Sequence, residues 1–171
     1  MDKRKEANIR VKAAITDTLF DLMSEKSLHD ISITELISKA GVARVSFYRN
    51  YADKEDVLMS LVKDVLDEFK NTADYDLSNP YTLHHIKRTF EYFLKYKKYM
   101  INLYHSGFGS MVLEQLNNFH ESILPEPKTD TEKYHLYMYM GALYNTVIFW
   151  LQEDQPVSVS KMAQIVLDQT K

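Results

Sequence analysis

The sequence predicts an all-α fold: a small N-terminal helix-turn-helix piece followed by a larger helical part, about nine helices in all. Three observations carry this. Gly and Pro number only four each in 171 residues, too few for the turns an all-β chain needs. Apolar residues make up 45% of the chain, enough to build a core. Their spacing follows the helical three-and-four rhythm rather than strand alternation, with no internal repeat and no low-complexity tract.

Ile9, Ala13, Thr16, Phe20 and Met23 fall on one stripe, which predicts a first helix over about 4–25. Leu28 and Ile31 close a short connection. Ser32, Ile33, Thr34 and Glu35 then read as a capping box, in which the Ser32 hydroxyl accepts a backbone N–H and the Glu35 carboxylate reaches back. Ile33, Leu36, Ile37 and Ala40 supply the inward stripe of a short second helix, and Gly41 stands where it ends in a left-handed residue. A third helix follows at once, over about 43–51, with Phe47 and Tyr51 facing inward. Asp53 caps a fourth, with Glu55 and Asp56 in the first turn, where the helix dipole favours acids. Leu58, Leu61, Val62, Val65 and Phe69 form its apolar stripe.

Residues 71–79 are polar and lead into Ser78, Asn79 and Pro80, which read as a cap with Pro at the first helical position. Further helices are expected over about 80–97, 98–106 and 109–123, a loop over about 124–128, and helices over about 131–153 and 159–169. The helix over 131–153 is apolar nearly all the way round, so it must be buried all the way round. Helices of the same chain cover one face. The other is covered either by a second subunit or by the same chain again.

The chain has no Cys, which excludes disulfides, thiolate metal ligands and thiol catalysis and fits a reducing cytoplasm. No N-terminal apolar run reads as a signal peptide and no stretch reads as a membrane span, so a cytoplasmic location is expected. Net charge is −3. Its distribution is uneven: residues 1–51 carry nine Lys/Arg against seven Asp/Glu, and the rest carry twelve against seventeen. No nucleophile elbow, phosphate-binding glycine loop or H-E-x-x-H occurs, nor the two Glu-x-x-His motifs of a di-iron bundle, which argues against an enzyme. No two of the six histidines (29, 84, 85, 105, 120, 135) have the same-face spacing of a helical metal site with a carboxylate nearby, so they read as solvated or core residues. No metal and no cofactor is expected.

Two short helices joined by a glycine turn, the second rich in hydrogen-bonding side chains, form a helix-turn-helix, whose second helix enters the DNA major groove with its N-terminal residues on base edges. Phe47 and Tyr51 hold that helix to its supports, while Arg44, Val45 and Ser46 lie toward its exposed start. Arg forks onto guanine, Ser bonds several bases, and Val meets a thymine methyl. Phosphate contacts are expected from Tyr48, from Ser32 and Thr34 at the start of the second helix, and from Lys54 at the start of the fourth. Ala43, Arg49 and Asn50 share the same DNA-facing segment. Lys3, Arg4 and Lys5 add diffuse attraction.

The stretch SITELISKAGVARVSFYRNYADKEDVL, 32–58, resembles the TetR/AcrR family of bacterial transcriptional regulators. Ala40-Gly41-Val42, the Ser46-Phe47-Tyr48 triplet, Tyr51 and Lys54-Glu55 stand in the family's order and spacing, and the resemblance extends over about 5–70. It implies phosphate contacts for Tyr48 and Lys54. Val45 stands where the family often has Gly or Pro, and Asn50 where it often has His; both bear on which sequence is read.

The resemblance further implies a DNA-binding domain over 1–52 and an effector-binding and dimerisation domain over 53–171. The implied function is a dimeric repressor on a palindromic operator, released by a small apolar or aromatic ligand. Tyr92, Phe93, Tyr96, Met100, Tyr104, His105, Phe108, Tyr137 and Met138 are candidate lining for such a ligand, and the same stripe also reads as ordinary core. The last two helices resemble those that form a four-helix bundle across the family dimer. Leu143, Val147 and Trp150 would then meet Met162, Ile165 and Val166 of a second copy. The alternative is a regulator without a small effector, of either sign, controlled by a partner protein.

Overall fold

The computed structural model describes residues 3–74, 76–127 and 129–169. Lys128, at the end of the expected loop, lies outside them, as do the extreme ends of the two expected domains. Among the described residues the protein is all-α: α1 (Lys3–Met23), a 3-10 turn (Leu28–Asp30), α2 (Ile33–Lys39), α3 (Arg44–Asn50), α4 (Lys54–Asn71), α5 (Leu83–Lys95), α6 (Lys97–His105), α7 (Gly109–Ile123), α8 (Asp130–Gln152) and α9 (Val159–Asp168). No described helix is long and apolar enough to cross a membrane. The chain forms two compact units, Met1–Val65 and Leu66–Lys171, divided within α4. The sequence puts its functional boundary at the turn before α4, between 52 and 53. The first turns of α4 belong to the first unit and carry the buried Val57, Leu58 and Val62.

In the first unit α1 packs against both α2 and α3. Its buried face is Ile15, Thr16, Leu19, Phe20, Leu22 and Met23. The expected stripe holds only in its second half, because Ile9 and Ala13 are exposed on a helix that extends past the core. The Ser32 hydroxyl accepts from the Glu35 N–H at 3.1 Å. Glu35 accepts in turn from Lys26 and from the Ser32 backbone, and these bonds, with Lys26 foremost, lower its pKa. Gly41 adopts φ +64, with Val42 N–H donating to Ile37 O at 2.9 Å and Gly41 N–H to Ser38 O at 3.3 Å. That is a Schellman end, and it lets α3 begin three residues later. The start of α4 has two interlocked acidic caps: Asp53 accepts from the Asp56 N–H, and Asp56 accepts from the Ala52 N–H.

In the second unit α9 packs along α5, while α6 and α7 both pack on α8. Phe90 of α5 meets Trp150 of α8 edge to face at 5.3 Å. The Trp150 indole donates to Val157 O. Helix α5 starts at Leu83, not at 80 as the sequence suggests. Thr82 is the cap, accepting from the His85 N–H, and Asn79 instead closes a local turn by accepting from the Tyr81 N–H. Both Asn and Thr can cap, and only Thr82 stands directly before the apolar face of Ile86, Phe90 and Phe93.

Candidate nucleic-acid interface

Phe47 is fully buried on α3 and Tyr51 nearly so, with their rings 5.8 Å apart. These two anchors fix which side of α3 faces solvent. Arg44, Val45, Tyr48 and Arg49 are exposed there, Val45 at 65%. Ala43, the residue before the helix, is exposed and makes no side-chain cap. The first turn of α3 therefore receives no side-chain cap, and the Ser46 N–H donates to Ala43 O at 2.9 Å.

Arg44 joins the starts of two helices. Its guanidinium donates to Thr34 Oγ1 of α2 and to the Tyr48 hydroxyl, both at 3.4 Å, and lies over the Tyr48 ring at 5.4 Å. Three residues expected to face DNA thus form one exposed cluster. Ser32 is also exposed, its oxygen already serving the α2 cap. Ser46 and Asn50 are half-buried, and the Asn50 amide donates back to Ser46 O at 2.8 Å. Lys54 is half-buried, and its ammonium faces carbonyls: it donates to Leu28 O at 2.6 Å and Ile31 O at 2.5 Å, with His29 O at 3.5 Å.

The candidate effector residues of the second unit differ in burial. Phe93 and Met100 are buried, Phe108 is half-buried, and Tyr104, His105, Tyr137 and Met138 are exposed. Tyr92 and Tyr96 are half-buried, and both direct their hydroxyls to Glu68, which also pairs with Lys95. His105 meets the Gln152 amide at 3.1 Å. Of the histidines that the sequence reads as solvated or core, two are buried here. His85 and His120 sit 5.9 Å apart beside Phe69 and Phe119. Burial, with a smaller push from His120, lowers the His85 pKa to about 4. Burial pushes the Tyr144 hydroxyl up to about 12. Among the described residues no group of three His, Asp or Glu comes together as a metal site.

The expected dimer residues divide as well. Leu143, Val147, Trp150 and Met162 are buried inside the single chain, so they have no surface left to offer a second copy. Val166 is half-buried and Ile165 is exposed. The side of α8 open to solvent is a different one: Tyr134, Met138, Ala142, Asn145 and Phe149, with Met138 at 73% and Phe149 at 62% exposure. These fall at i, i+4, i+8, i+11 and i+15, one continuous stripe.

Residues 15–61 match the sequence model described as bacterial regulatory proteins, tetR family. An HTH-type transcriptional regulator of Mycobacterium tuberculosis, EthR, is 39% identical over 64 residues, which cover 37% of this chain and 28% of that protein. The uncharacterized HTH-type transcriptional regulator YxbF of Bacillus subtilis is 23% identical over 167 residues, covering 91% of this chain and 43% of its own length. The chain thus spans less than half the length of these relatives. A TetR transcriptional regulator from Streptococcus agalactiae superposes with a TM-score of 0.67 at 20% identity, over 98% of this chain and 97% of its own. The buried anchors of α3, the exposed polar face they fix and the match over 15–61 agree, and the N-terminal part of the chain carries the helix-turn-helix domain of the bacterial regulatory proteins of the tetR family.

Proposed function

We propose that the protein is a dimeric repressor that binds a palindromic operator and leaves it when a small apolar or aromatic effector binds the C-terminal part. The division of labour follows the boundary at 52/53. The observation that carries the DNA reading is the Arg44–Thr34–Tyr48 cluster on the exposed side of α3 and the start of α2. Arg44 keeps three of its five N–H donors for a guanine, with Val45 and Ser46 beside it for base edges. Tyr48, Thr34, Ser32 and Arg49 stand around it at phosphate positions. The dimer reading is supported by α8, whose open stripe of Tyr134, Met138 and Phe149 is a large apolar surface for a water-facing helix. The second copy would seat there, and Ile165 of α9 is a further exposed apolar side chain.

The test is selection from fragmented genomic DNA, with Arg44→Ala/Tyr48→Phe as control. Enrichment of a palindrome by the wild type and its loss in the control is the expected result. Equal recovery by both proteins refutes the reading of α3. The second reading, a regulator governed by a partner protein, draws on the exposure of four of the candidate effector residues, Tyr104, His105, Tyr137 and Met138. Co-purification of one protein, together with no thermal shift across a library of apolar and aromatic compounds, would favour it.

A further inference from the structure

We infer that the start of α7 is a carboxylate site. The Gly109, Ser110 and Met111 N–H groups and the Tyr144 hydroxyl together hold the acid group of an organic acid, whose body lies among Phe93, Tyr104 and Phe108. The inference rests on the effector reading and deepens it, because it gives the effector a chemical class: an apolar or aromatic carboxylic acid.

The first N–H groups of a helix have no partner inside it. In α7 the first intrahelical bond runs from the Val112 N–H to Phe108 O at 3.2 Å. Phe108 stands at the cap position, where its side chain accepts nothing. Its own N–H is spent on Leu103 O at 2.8 Å, in the Schellman end of α6. Among the described residues nothing accepts from the Gly109, Ser110 and Met111 N–H groups. Such a helix start favours an anion, but water alone also satisfies it.

Tyr144 is what water does not explain. Only 8% of this residue is exposed, and its hydroxyl is buried with no hydrogen-bond partner. A hydroxyl left so costs stability. It reaches from α8 to 3.1 Å from the point where a Gly109 Cβ would stand. Helix Cβ atoms lean toward the N-terminus, so a group at that point on the first residue of α7 lies at the mouth of the helix. The Tyr104 ring covers the same point at 3.3 Å. Tyr104 is 41% exposed, so it swings outward at little cost in burial and uncovers the hydroxyl. Burial first, then Tyr104, pushes the Tyr144 pKa up to about 12, so the hydroxyl keeps its proton and donates. A carboxylate is an acceptor only and matches a site that offers donors. The Phe93 ring lies 6.4 Å from that of Tyr144, and Phe108 directly precedes Gly109. These rings give an organic body a surface that a bare ion would not use.

The probes are benzoate and octanoate, each against its uncharged counterpart, benzamide or octanamide, with acetate and inorganic phosphate as bare anions. Binding to the full chain is followed through the backbone N–H signals of Gly109, Ser110 and Met111. The expected result is a saturable shift of these three signals by benzoate or octanoate. The uncharged counterpart and the bare anions should bind about tenfold more weakly. In Tyr144→Phe the acid should also bind about tenfold more weakly. Its melting temperature should be no lower, because the change removes a buried hydroxyl that has no partner. Gly109→Ala keeps every N–H but fills the space beside the hydroxyl, and should weaken binding as well. Wild-type affinity in Tyr144→Phe, equal binding of an acid and its uncharged counterpart, or no shift of the three signals by either acid would each overturn the inference. Acetate or phosphate binding as tightly as the acids would make this a site for bare anions and overturn the class. Release of the operator found by selection separates the two readings. An acid that shifts the three signals while DNA stays bound would sink the effector reading and leave the site. An acid that releases DNA without shifting them would sink the site and leave the effector reading.

Discussion

The two units of this chain treat their surfaces in opposite ways. In the first, α3 puts Phe47 and Tyr51 inside and the polar Arg44, Tyr48 and Arg49 outside, with Val45 the one exposed apolar side chain among them. In the second, α8 is apolar on both sides and only packing decides which side is inside: Leu143, Val147 and Trp150 are buried while Met138 and Phe149 are open. A polar exposed face on a short helix calls for a charged partner, and an apolar exposed face on a long one calls for an apolar partner. The difference lets each unit be perturbed separately.

The largest effects come from the anchors. Phe47→Ala and Trp150→Ala each remove a buried aromatic and should cost about 3–5 kcal/mol. Trp150 is the single tryptophan and lies in the second unit, so its fluorescence reports there. In Phe47→Ala, urea should lower the far-UV helical signal before the Trp150 fluorescence changes. Coincident transitions would show that the two compact units melt as one and would break the comparison.

Acid should strike the second unit first. The His85 pKa is lowered to about 4 by burial, then by His120, Arg88 and His84. Its folded pKa lies below the ordinary histidine value of about 6.5, so the unfolded chain binds the proton more readily. Stability is therefore full above about pH 6.5 and falls as pH drops toward about 4, by about 3 kcal/mol in all. His120 is lowered as well and acts in the same direction. Urea melts across this range, followed through Trp150, should show the slope. His85→Gln should flatten it, and an unchanged slope would remove His85 as its source.

Surface changes should leave stability within about 0.5 kcal/mol and move binding instead. Arg44→Ala is expected to relax operator preference at one base pair per half-site, by about 1–3 kcal/mol. Met138→Lys/Phe149→Glu is expected to shift sedimentation from dimer to monomer without changing the melt of the DNA-binding unit. If the double variant stays dimeric, the open face of α8 has another occupant. If it melts early, the face was core after all.

The first unit was the more legible because its signals are local. Ser32, Gly41 and Asp53 mark ends by backbone chemistry that needs no tertiary information, and each does what its residue type suggests. Helix α7 starts and ends where its spacing predicts. What was not legible depends on neighbours. Ile9 and Ala13 continue the α1 period beyond the core that would bury them. The α8 stripe of 143, 147 and 150 is as regular as that of 134, 138, 142, 145 and 149, and only α5, α6 and α7 choose between them. Lys54 reads as a cation at a helix start, and nothing in its own segment announces three carbonyls more than twenty residues earlier.

The smallest effect separates the units most cleanly, because the same substitution can be made in each. Gly41 has φ +64 and Gly107 has φ +85, and each ends a helix in a Schellman motif, α2 in the first unit and α6 in the second. A Cβ at either meets nothing within 4 Å, so neither change introduces a clash. Only the left-handed backbone resists, by about 1–2 kcal/mol, partly offset because Ala narrows the unfolded ensemble. Gly41→Ala and Gly107→Ala should therefore lower stability by about the same 1 kcal/mol. Their consequences for DNA should differ. Gly41 sets the angle at which α3 leaves α2, and so the position of Arg44 relative to Thr34; Gly107 sets the turn from α6 into α7. Operator affinity should fall several-fold further in Gly41→Ala than in its equally destabilised counterpart, measured well below both melting temperatures. Equal affinities would mean that the α2–α3 turn relaxes back on DNA, and the Arg44 cluster would then be assembled by the operator rather than before it.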